Sequence, residues 1–148
     1  MYLALKRTPP SDANKIKKSA ASLTKWRLCS EYSHGGIVIG DYLYHATVHS
    51  GFIRQKFNIT QASEGWDIWD LGQANDEAFL KFFKENEGVP YDWFGLLVFV
   101  VDTGKADIKR LYCFEVCAVA LQIDIRGRVT PEMLLKGALS LPGVRRVK

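Results

Sequence analysis

The sequence contains three cysteines, Cys29, Cys113 and Cys117, whose thiols are the groups best suited to covalent chemistry. An odd number without a C-x-x-C pair fits neither a disulfide framework nor a structural zinc site, so we expect a reducing compartment. A thiol becomes a nucleophile when an imidazole, a cation or the positive end of a helix dipole lowers its pKa. Cys113 follows Lys109 and Arg110 and begins a predicted apolar helix, so it is the candidate nucleophile. The other two thiols are expected to be buried small hydrophobes.

Two histidines are the candidate partners of the thiol. His34 lies just before the first strand of a predicted β-hairpin, and His45 lies in its second strand. If Gly40 and Asp41 form a two-residue turn, residues whose numbers sum to 81 face each other, so His45 lies opposite Gly36. Because side chains alternate along a strand, His34 and His45 are then diagonal neighbours on one face, about 7 Å apart at Cα. In a Cys-His-polar triad, one imidazole takes the proton of the thiol and a second polar side chain orients that imidazole.

Other interpretations of the histidines stay open. A histidine in a hairpin is more often a structural or surface residue than a catalytic one. A His-His-Cys metal site is a further alternative, although its three ligands would suit catalytic rather than structural zinc and no acidic ligand is evident. His49 lies two pairs further from the turn and ranks third. The favoured hypothesis is a thiol–imidazole pair that needs no metal and no organic cofactor.

A single α+β domain spanning residues 1–148, a small antiparallel sheet packed against helices, is expected to position these groups. Alternating apolar residues and turn signals predict strands over Tyr2–Leu5, Gly35–Ile39, Tyr42–Val48, Phe52–Ile59 and Trp66–Leu71. Helical spacing and capping residues predict helices over residues 14–26, Asn75–Asn86 and Tyr112–Ile123, and one that starts at Thr130. The apolar segment Trp93–Val101 fits a buried helix or strand equally well.

Charge and apolar runs limit the class of protein. The net charge is +4, and the basic residues crowd the first 27 positions and the last four. We interpret them as solvated faces and a frayed C-terminal tail rather than a specific nucleic-acid surface, because no recognition motif accompanies them. The longest apolar run has nine residues, too few to span a membrane, and the N-terminus lacks a signal-peptide pattern. Cytoplasmic synthesis is therefore expected.

Five segments in order resemble the circularly permuted NlpC-type papain-like cysteine hydrolases, which include the YiiX-like proteins and, more distantly, the lecithin–retinol acyltransferases. The hairpin Ser33–Asp41 with Tyr44–Ala46 is similar to the family's "SH-x-G-I-x-x-G-D … H-A" motif. The matches continue with a helix and loop at Trp26–Ser33, a "G-x-x-Y-D" segment at Glu87–Trp93, a "C-S-E" motif at Tyr112–Glu115 and a closing helix at Val129–Leu135.

The resemblance implies a permuted papain-like fold with the nucleophile at a helix N-terminus. It implies Cys113 as nucleophile, His34 as general base and His45 as the orienting residue, without a cofactor or metal. Phe114 departs from the family's small serine and is expected to narrow the cleft or displace an oxyanion donor. Tyr91 and Asp92 are expected to pack near the cleft rather than take part in chemistry.

The expected activity is that of a thiol hydrolase of the amidase or peptidase type, acting on an amide or ester. The expected substrate is a small peptide or amide, with a peptidoglycan fragment as one option. A cell-wall substrate would require a phage-encoded or otherwise delivered protein. Two alternatives stay open: an acyltransferase, and a catalytically silent papain-like module that binds a partner. The sequence leaves the oligomeric state open.

Overall fold

The computed structural model of the chain describes residues 1–7, 30–62, 65–72, 74–91, 112–123 and 129–148. These ranges contain six strands and three helices, and the predicted α+β class is confirmed. The strands are β1 (Tyr2–Lys6), β2 (His34–Ile39), β3 (Tyr42–Thr47), β4 (Gly51–Lys56), β5 (Trp66–Asp70) and β6 (Arg145–Arg146). The helices are α1 (Asp76–Asn86), α2 (Cys113–Ala120) and α3 (Pro131–Ser140). The predictions for residues 14–26 and 93–101, and for Cys29, Asp92, Lys109 and Arg110, lie outside the described residues.

One antiparallel sheet contains all six strands, in the order β4-β3-β2-β1-β5-β6. The short strand β1 lies near the middle, and its central residues Leu3, Ala4 and Leu5 are fully buried. Its register places Lys6 opposite His34 of β2 on one side and opposite Trp66 of β5 on the other. The first residues of the chain therefore complete the sheet and bring a cation beside the candidate base.

Apolar side chains cover both faces of the sheet. Because successive residues of a strand face opposite sides, neighbours in sequence belong to different clusters. Leu3, Ile37 and Tyr44 belong to one cluster with the buried residues of all three helices. Val38 and Leu43 belong to a second cluster, with Ala4, Trp66 and Ile68. Each fully buried large apolar side chain contributes about 1.5–3 kcal/mol to stability, so the helix-covered face supplies most of the packing energy.

Side-chain caps start two of the helices where the sequence predicts. Asn75 precedes α1, and its Oδ1 accepts a hydrogen bond of 2.9 Å from the N–H of Ala78. Thr130 precedes α3, and its Oγ1 accepts from the N–H of Met133 at 3.3 Å. A cap of this kind satisfies one of the free N–H groups of the first turn. Within the described ranges, no helix has the length and apolar character needed to cross a membrane.

Two elements end three residues earlier than predicted. The strand expected to reach Ile59 ends at Lys56, because Asn58 opens a turn in which its Oδ1 accepts from the N–H of Thr60 at 2.9 Å. The helix expected to reach Ile123 ends at Ala120. Gln122 there takes a positive φ of 53°, and the N–H of Ile123 bonds back to the carbonyl of Ala118. This is the Schellman ending of a helix, made here without the usual glycine.

The expectation of a frayed C-terminal tail is wrong. Arg145 and Arg146 form β6 against β5, and the N–H of Ile68 donates to the carbonyl of Lys148 at 3.0 Å. Arg146 also forms an ion pair with Asp67, at 2.7 Å. The basic side chains are exposed, as predicted, but a buried carboxylate on the neighbouring strand holds the segment in place.

Candidate active site

His34 and His45 form a hydrogen-bonded pair across the hairpin. Ile37 lies opposite Tyr44, which confirms the predicted register, and Gly40 takes the positive φ of 56° that the two-residue turn requires. The Nε2 atom of His34 lies 2.7 Å from the Nδ1 atom of His45. The two rings meet edge to face, with their centroids 5.0 Å apart. The predicted contact between the two histidines is therefore confirmed.

The two glycines after His34 make room on opposite faces of the sheet. A Cβ atom on Gly36 would lie 2.7 Å from Leu43 Cδ1, 2.8 Å from a backbone carbonyl oxygen and 3.0 Å from the Cβ atom of His45. A Cβ atom on Gly35 would instead lie 2.9 Å from the ring of Phe114 in α2. Gly36 thus lets the imidazoles meet, and Gly35 lets the start of α2 approach the strand.

Replacement of Gly36 by alanine is expected to destabilise the protein by about 1–3 kcal/mol, the usual effect of overpacking. The backbone carbonyl near position 36 cannot rotate away, so His45 has to shift, and the imidazole NMR signals of both histidines are expected to move. Chemical unfolding and these signals provide the measurement. The control is Gly137→Ala in α3, where the added atom meets only the movable side chain of Ile123. Unchanged imidazole signals in Gly36→Ala would contradict this account.

Both imidazoles are held neutral. Burial lowers the pKa of His34 to about 3, and the nearby charges of His45 and Lys6 act in the same direction. Burial also lowers the pKa of His45 to about 4, against a smaller opposing effect of the Gln55 side chain. His45 is only 5% exposed. A neutral pair has one N–H hydrogen between the two facing nitrogens, so one ring donates and the other accepts.

Cys113 is the first residue of α2, and its thiol faces several hydrogen-bond donors. The backbone N–H of Gly35, the hydroxyl of Tyr91 and the N–H groups at the start of α2 all act to lower the pKa of this thiol. The N–H of Gly35 is thus the donor that directly follows His34 in the chain. The His34 imidazole itself points to the face of the sheet opposite Phe114 of α2, and Cys113 is not among the groups that act on its pKa. Hydrogen bonds to sulfur favour the thiolate form.

Burial nevertheless dominates the acidity of this thiol. Cys113 is 2% exposed, and burial raises its pKa to about 11 despite the donors around it. The expectation that the helix dipole would give Cys113 a lowered pKa is therefore wrong, because it took no account of how deeply α2 is covered. The thiol and the imidazoles are all neutral at pH 7.

The two residues after Cys113 face away from the sulfur. Glu115 accepts a hydrogen bond of 3.0 Å from the N–H of Tyr112, so its carboxylate caps the start of α2. Phe114 is fully buried, and its ring packs on Gly35 and edge to face on Tyr112. The large side chain at position 114 thus fills the core and leaves its backbone N–H at the sulfur.

Tyr91 reaches the thiol through a contact that its sequence motif did not predict. The carbonyl of Val89 accepts from the N–H of Phe52 in β4 at 2.9 Å, and the N–H of Gly88 donates to the carbonyl of Phe52 at 2.8 Å. These two bonds fix the segment in which Tyr91 follows two residues later. Burial raises the pKa of Tyr91, and the neighbouring Cys113 raises it further. Tyr91 is therefore a neutral donor to the thiol.

The other candidate residues lie outside this group. His49 is exposed in the turn between β3 and β4. Cys117 is fully buried one turn further along α2, as predicted, with its Sγ bonded to the carbonyl of Cys113. Among the described residues, no group of three or more His, Cys, Asp or Glu side chains is arranged to hold a metal ion. A hollow lined by Leu71, Ala120 and other residues lies at the far end of α2.

Comparison with known proteins does not assign the chain to a family. No protein-family model matches it, and no curated protein matches it significantly. The resemblance to the permuted papain-like hydrolases therefore stays a prediction based on the five sequence motifs.

Proposed function

We propose that the protein is a thiol hydrolase of the amidase or peptidase type, with Cys113 as nucleophile, His34 as general base and His45 as the residue that orients it. The observation that supports this best is the 2.7 Å hydrogen bond between His34 Nε2 and His45 Nδ1. When His34 is the donor in this bond, its Nδ1 is the nitrogen that takes a proton. Gly35, the next residue, already donates its N–H to the thiol. Nucleophilic catalysis needs a thiol within reach of an oriented imidazole, so His34 Nδ1 has to come within hydrogen-bond distance of Cys113 Sγ for the reaction.

Because the thiol and the imidazole are both neutral, we expect the proton to pass from sulfur to nitrogen while the new carbon–sulfur bond forms. Cys113 Sγ attacks the substrate carbonyl carbon while His34 Nδ1 takes the thiol proton. The N–H groups of Gly35 and of the start of α2 stabilise the oxyanion. The His34 imidazolium then protonates the leaving amine or alcohol, and the C–N or C–O bond breaks to leave a thioester on Cys113. Water, deprotonated by His34, hydrolyses the thioester and restores the thiol.

The order of the elements supports a permuted papain-like frame, because the hairpin that bears the histidines precedes the helix that begins with the cysteine. The burial of Cys113 favours an extended, narrow substrate over the surface of a folded protein. We therefore propose a small peptide or amide as substrate, and a peptidoglycan stem peptide is the candidate that the motif resemblance suggests. In that case the protein acts after delivery to the cell wall.

The test is the pH dependence of Cys113 alkylation by iodoacetamide in a Cys29→Ser, Cys117→Ala background. With His34 present, the reaction is expected to persist below the ordinary thiol pKa of about 8.5. With His34→Ala, the rate at pH 7 is expected to fall by about 10²-fold or more, the contribution of a general base. The exposed His49→Ala serves as the matched control and is expected to leave the rate unchanged.

Alkylation that follows a single thiol titration above pH 8.5 and is indifferent to His34 would overturn the proposal and indicate a silent binding module.

A second measurement separates hydrolysis from acyl transfer. A nitrophenyl ester is used to form the thioester on Cys113, and its loss is followed by mass spectrometry. Loss in water alone supports a hydrolase, whereas loss only after an amine or alcohol is added indicates an acyltransferase.

A further inference from the structure

The far end of the histidine pair contains an unsatisfied polar atom. Among the described residues, Nε2 of His45 is the one buried side-chain nitrogen or oxygen without a hydrogen bond of normal geometry. Its other nitrogen, Nδ1, is bonded to His34. A buried polar group left without a partner costs about 1–3 kcal/mol, so an acceptor or donor for this atom is expected nearby.

The partner of this atom decides which nitrogen of His34 is free to accept a proton. In one arrangement His34 Nε2–H donates to His45 Nδ1, so His45 has its hydrogen on Nε2 and His34 Nδ1 is bare. In the other, His45 Nδ1–H donates, and His34 then has its hydrogen on Nδ1. Only the first leaves His34 Nδ1 able to take the Cys113 proton. An acceptor at His45 Nε2 selects the first arrangement.

Gln55 is the polar side chain in position to be this acceptor. The pairing of β3 with β4 places Ile53 opposite His45 and Gln55 opposite Leu43. Opposed residues point to the same face, so Gln55 and His45 are diagonal neighbours on the face of the pair. Arg54 and Lys56, the neighbours of Gln55 in β4, point to the other face.

The Gln55 side chain lies near His45 without forming a hydrogen bond of normal geometry to it. Burial lowers the pKa of His45, and the Gln55 amide acts to raise it, so the amide lies near the ring. No hydrogen bond of normal geometry joins the amide to Nε2. Gln55 is exposed and can rotate, whereas bulk water does not reach the buried Nε2 atom. The Gln55 side chain can therefore turn its Oε1 atom towards Nε2, which solvent cannot satisfy.

We propose that Gln55 Oε1 accepts a hydrogen bond from His45 Nε2–H, and that Gln55 is a positioning residue which keeps His34 Nδ1 unprotonated. Its effect on reactivity rests on the proposed function of Cys113 and His34. Its effect on the histidine tautomers does not, because that follows from the geometry of the sheet alone. The two effects can therefore be measured separately.

The tautomers are read from ¹⁵N NMR signals of the imidazoles, which is practical because the chain has three histidines. The wild-type protein is expected to hold both His34 and His45 with the hydrogen on Nε2. Gln55→Leu is expected to mix the two arrangements. Gln55→Glu, whose carboxylate can only accept, is expected to keep the wild-type tautomers and to raise the pKa of His45. Arg54→Gln, on the other face, is the control and is expected to change neither.

A wild-type His45 with its hydrogen on Nδ1, or tautomers that Gln55→Leu leaves unchanged, would overturn the inference. In the iodoacetamide assay, Gln55→Leu is expected to lower the rate at pH 7 about fivefold, which corresponds to about 1 kcal/mol, and Gln55→Glu is expected to restore it. Tautomers that respond to Gln55 while alkylation ignores His34 would support the Gln55 contact and reject the hydrolase. His34-dependent alkylation with unresponsive tautomers would reject the Gln55 contact alone.

Discussion

Acidification from pH 6.5 to pH 4 is expected to lower the free energy of unfolding by about 1.4 kcal/mol per pH unit for each of His34 and His45. Burial lowers the pKa of His34 to about 3 and that of His45 to about 4, from an ordinary value of 6.5. Between these values the unfolded chain binds protons that the folded protein does not. The stabilisation is therefore complete above pH 6.5 and is lost as the pH falls towards 4.

The measurement is urea unfolding at pH 7, 6, 5 and 4, followed by tryptophan fluorescence. His34→Gln and His45→Gln are each expected to reduce the slope of stability against pH by about 1.4 kcal/mol per unit. Each variant removes one of the protons that the unfolded chain binds and the folded protein does not. The exposed His49→Gln is expected to retain the full slope. If His34→Gln and His45→Gln both kept the wild-type slope between pH 6.5 and 4, the neutral histidine pair would be contradicted.

The hairpin could be predicted from the sequence because its register depends on local chemistry. A glycine that takes a positive φ fixes a two-residue turn, and the turn fixes every pair along both strands. The contact between His34 and His45 follows from that register with no information from the rest of the chain. The same holds for the starts of α1 and α3, where Asn75 and Thr130 cap the helices.

The acidity of Cys113 could not be predicted in this way. The position of the residue at the start of a helix is local, and it suggested a lowered pKa. The burial that raises the pKa depends on how α2 packs against β2 and β3, which is a property of the whole fold. The effect of burial exceeds that of the donors around the sulfur, and its sign is opposite.

Several contacts were missed because they join residues that are far apart in the sequence. Tyr91 reaches Cys113 only because Gly88 and Val89 bond to Phe52 of β4. Gln55 is next to His45 only through the pairing of β3 with β4. The sequence signal for Tyr91 was its place in the "G-x-x-Y-D" motif, which predicted proximity to the cleft but not a hydrogen bond.

The C-terminal strand was missed for the same reason, since it depends on Asp67 of β5. The Oδ2 atom of Asp67 accepts hydrogen bonds from Arg7 Nε at 2.6 Å and from the Tyr32 hydroxyl at 2.7 Å. Its Oδ1 atom accepts from the Arg146 guanidinium at 2.7 Å. Burial alone would raise the pKa of Asp67, but the hydrogen bonds from Tyr32 and Arg7 and the charge of Arg146 lower it. One carboxylate thus ties the end of the chain to the residues that follow β1.

Replacement of Asp67 by asparagine is expected to destabilise the protein by about 2–4 kcal/mol. The side chain is 7% exposed and keeps its size, so the loss is mainly that of charge-assisted hydrogen bonds. The amide has one acceptor oxygen, and its NH₂ group then faces a guanidinium. The two arginines are partly exposed and regain some hydration, which keeps the loss below that of a fully buried pair. Urea unfolding at pH 7 measures the change.

Asp70→Asn is the matched control, on the same strand and with the same change of charge. Asp70 forms its ion pair with Arg145 at 3.4 Å, and Arg145 is largely exposed. An exposed pair contributes about 0–1 kcal/mol, so this variant is expected to lose far less stability than Asp67→Asn. Proteolysis should also separate the two variants, because only the loss of Asp67 releases Arg146 and exposes the C-terminal strand to cleavage. Equal losses in the two variants would mean that Asp67 does not hold the tail.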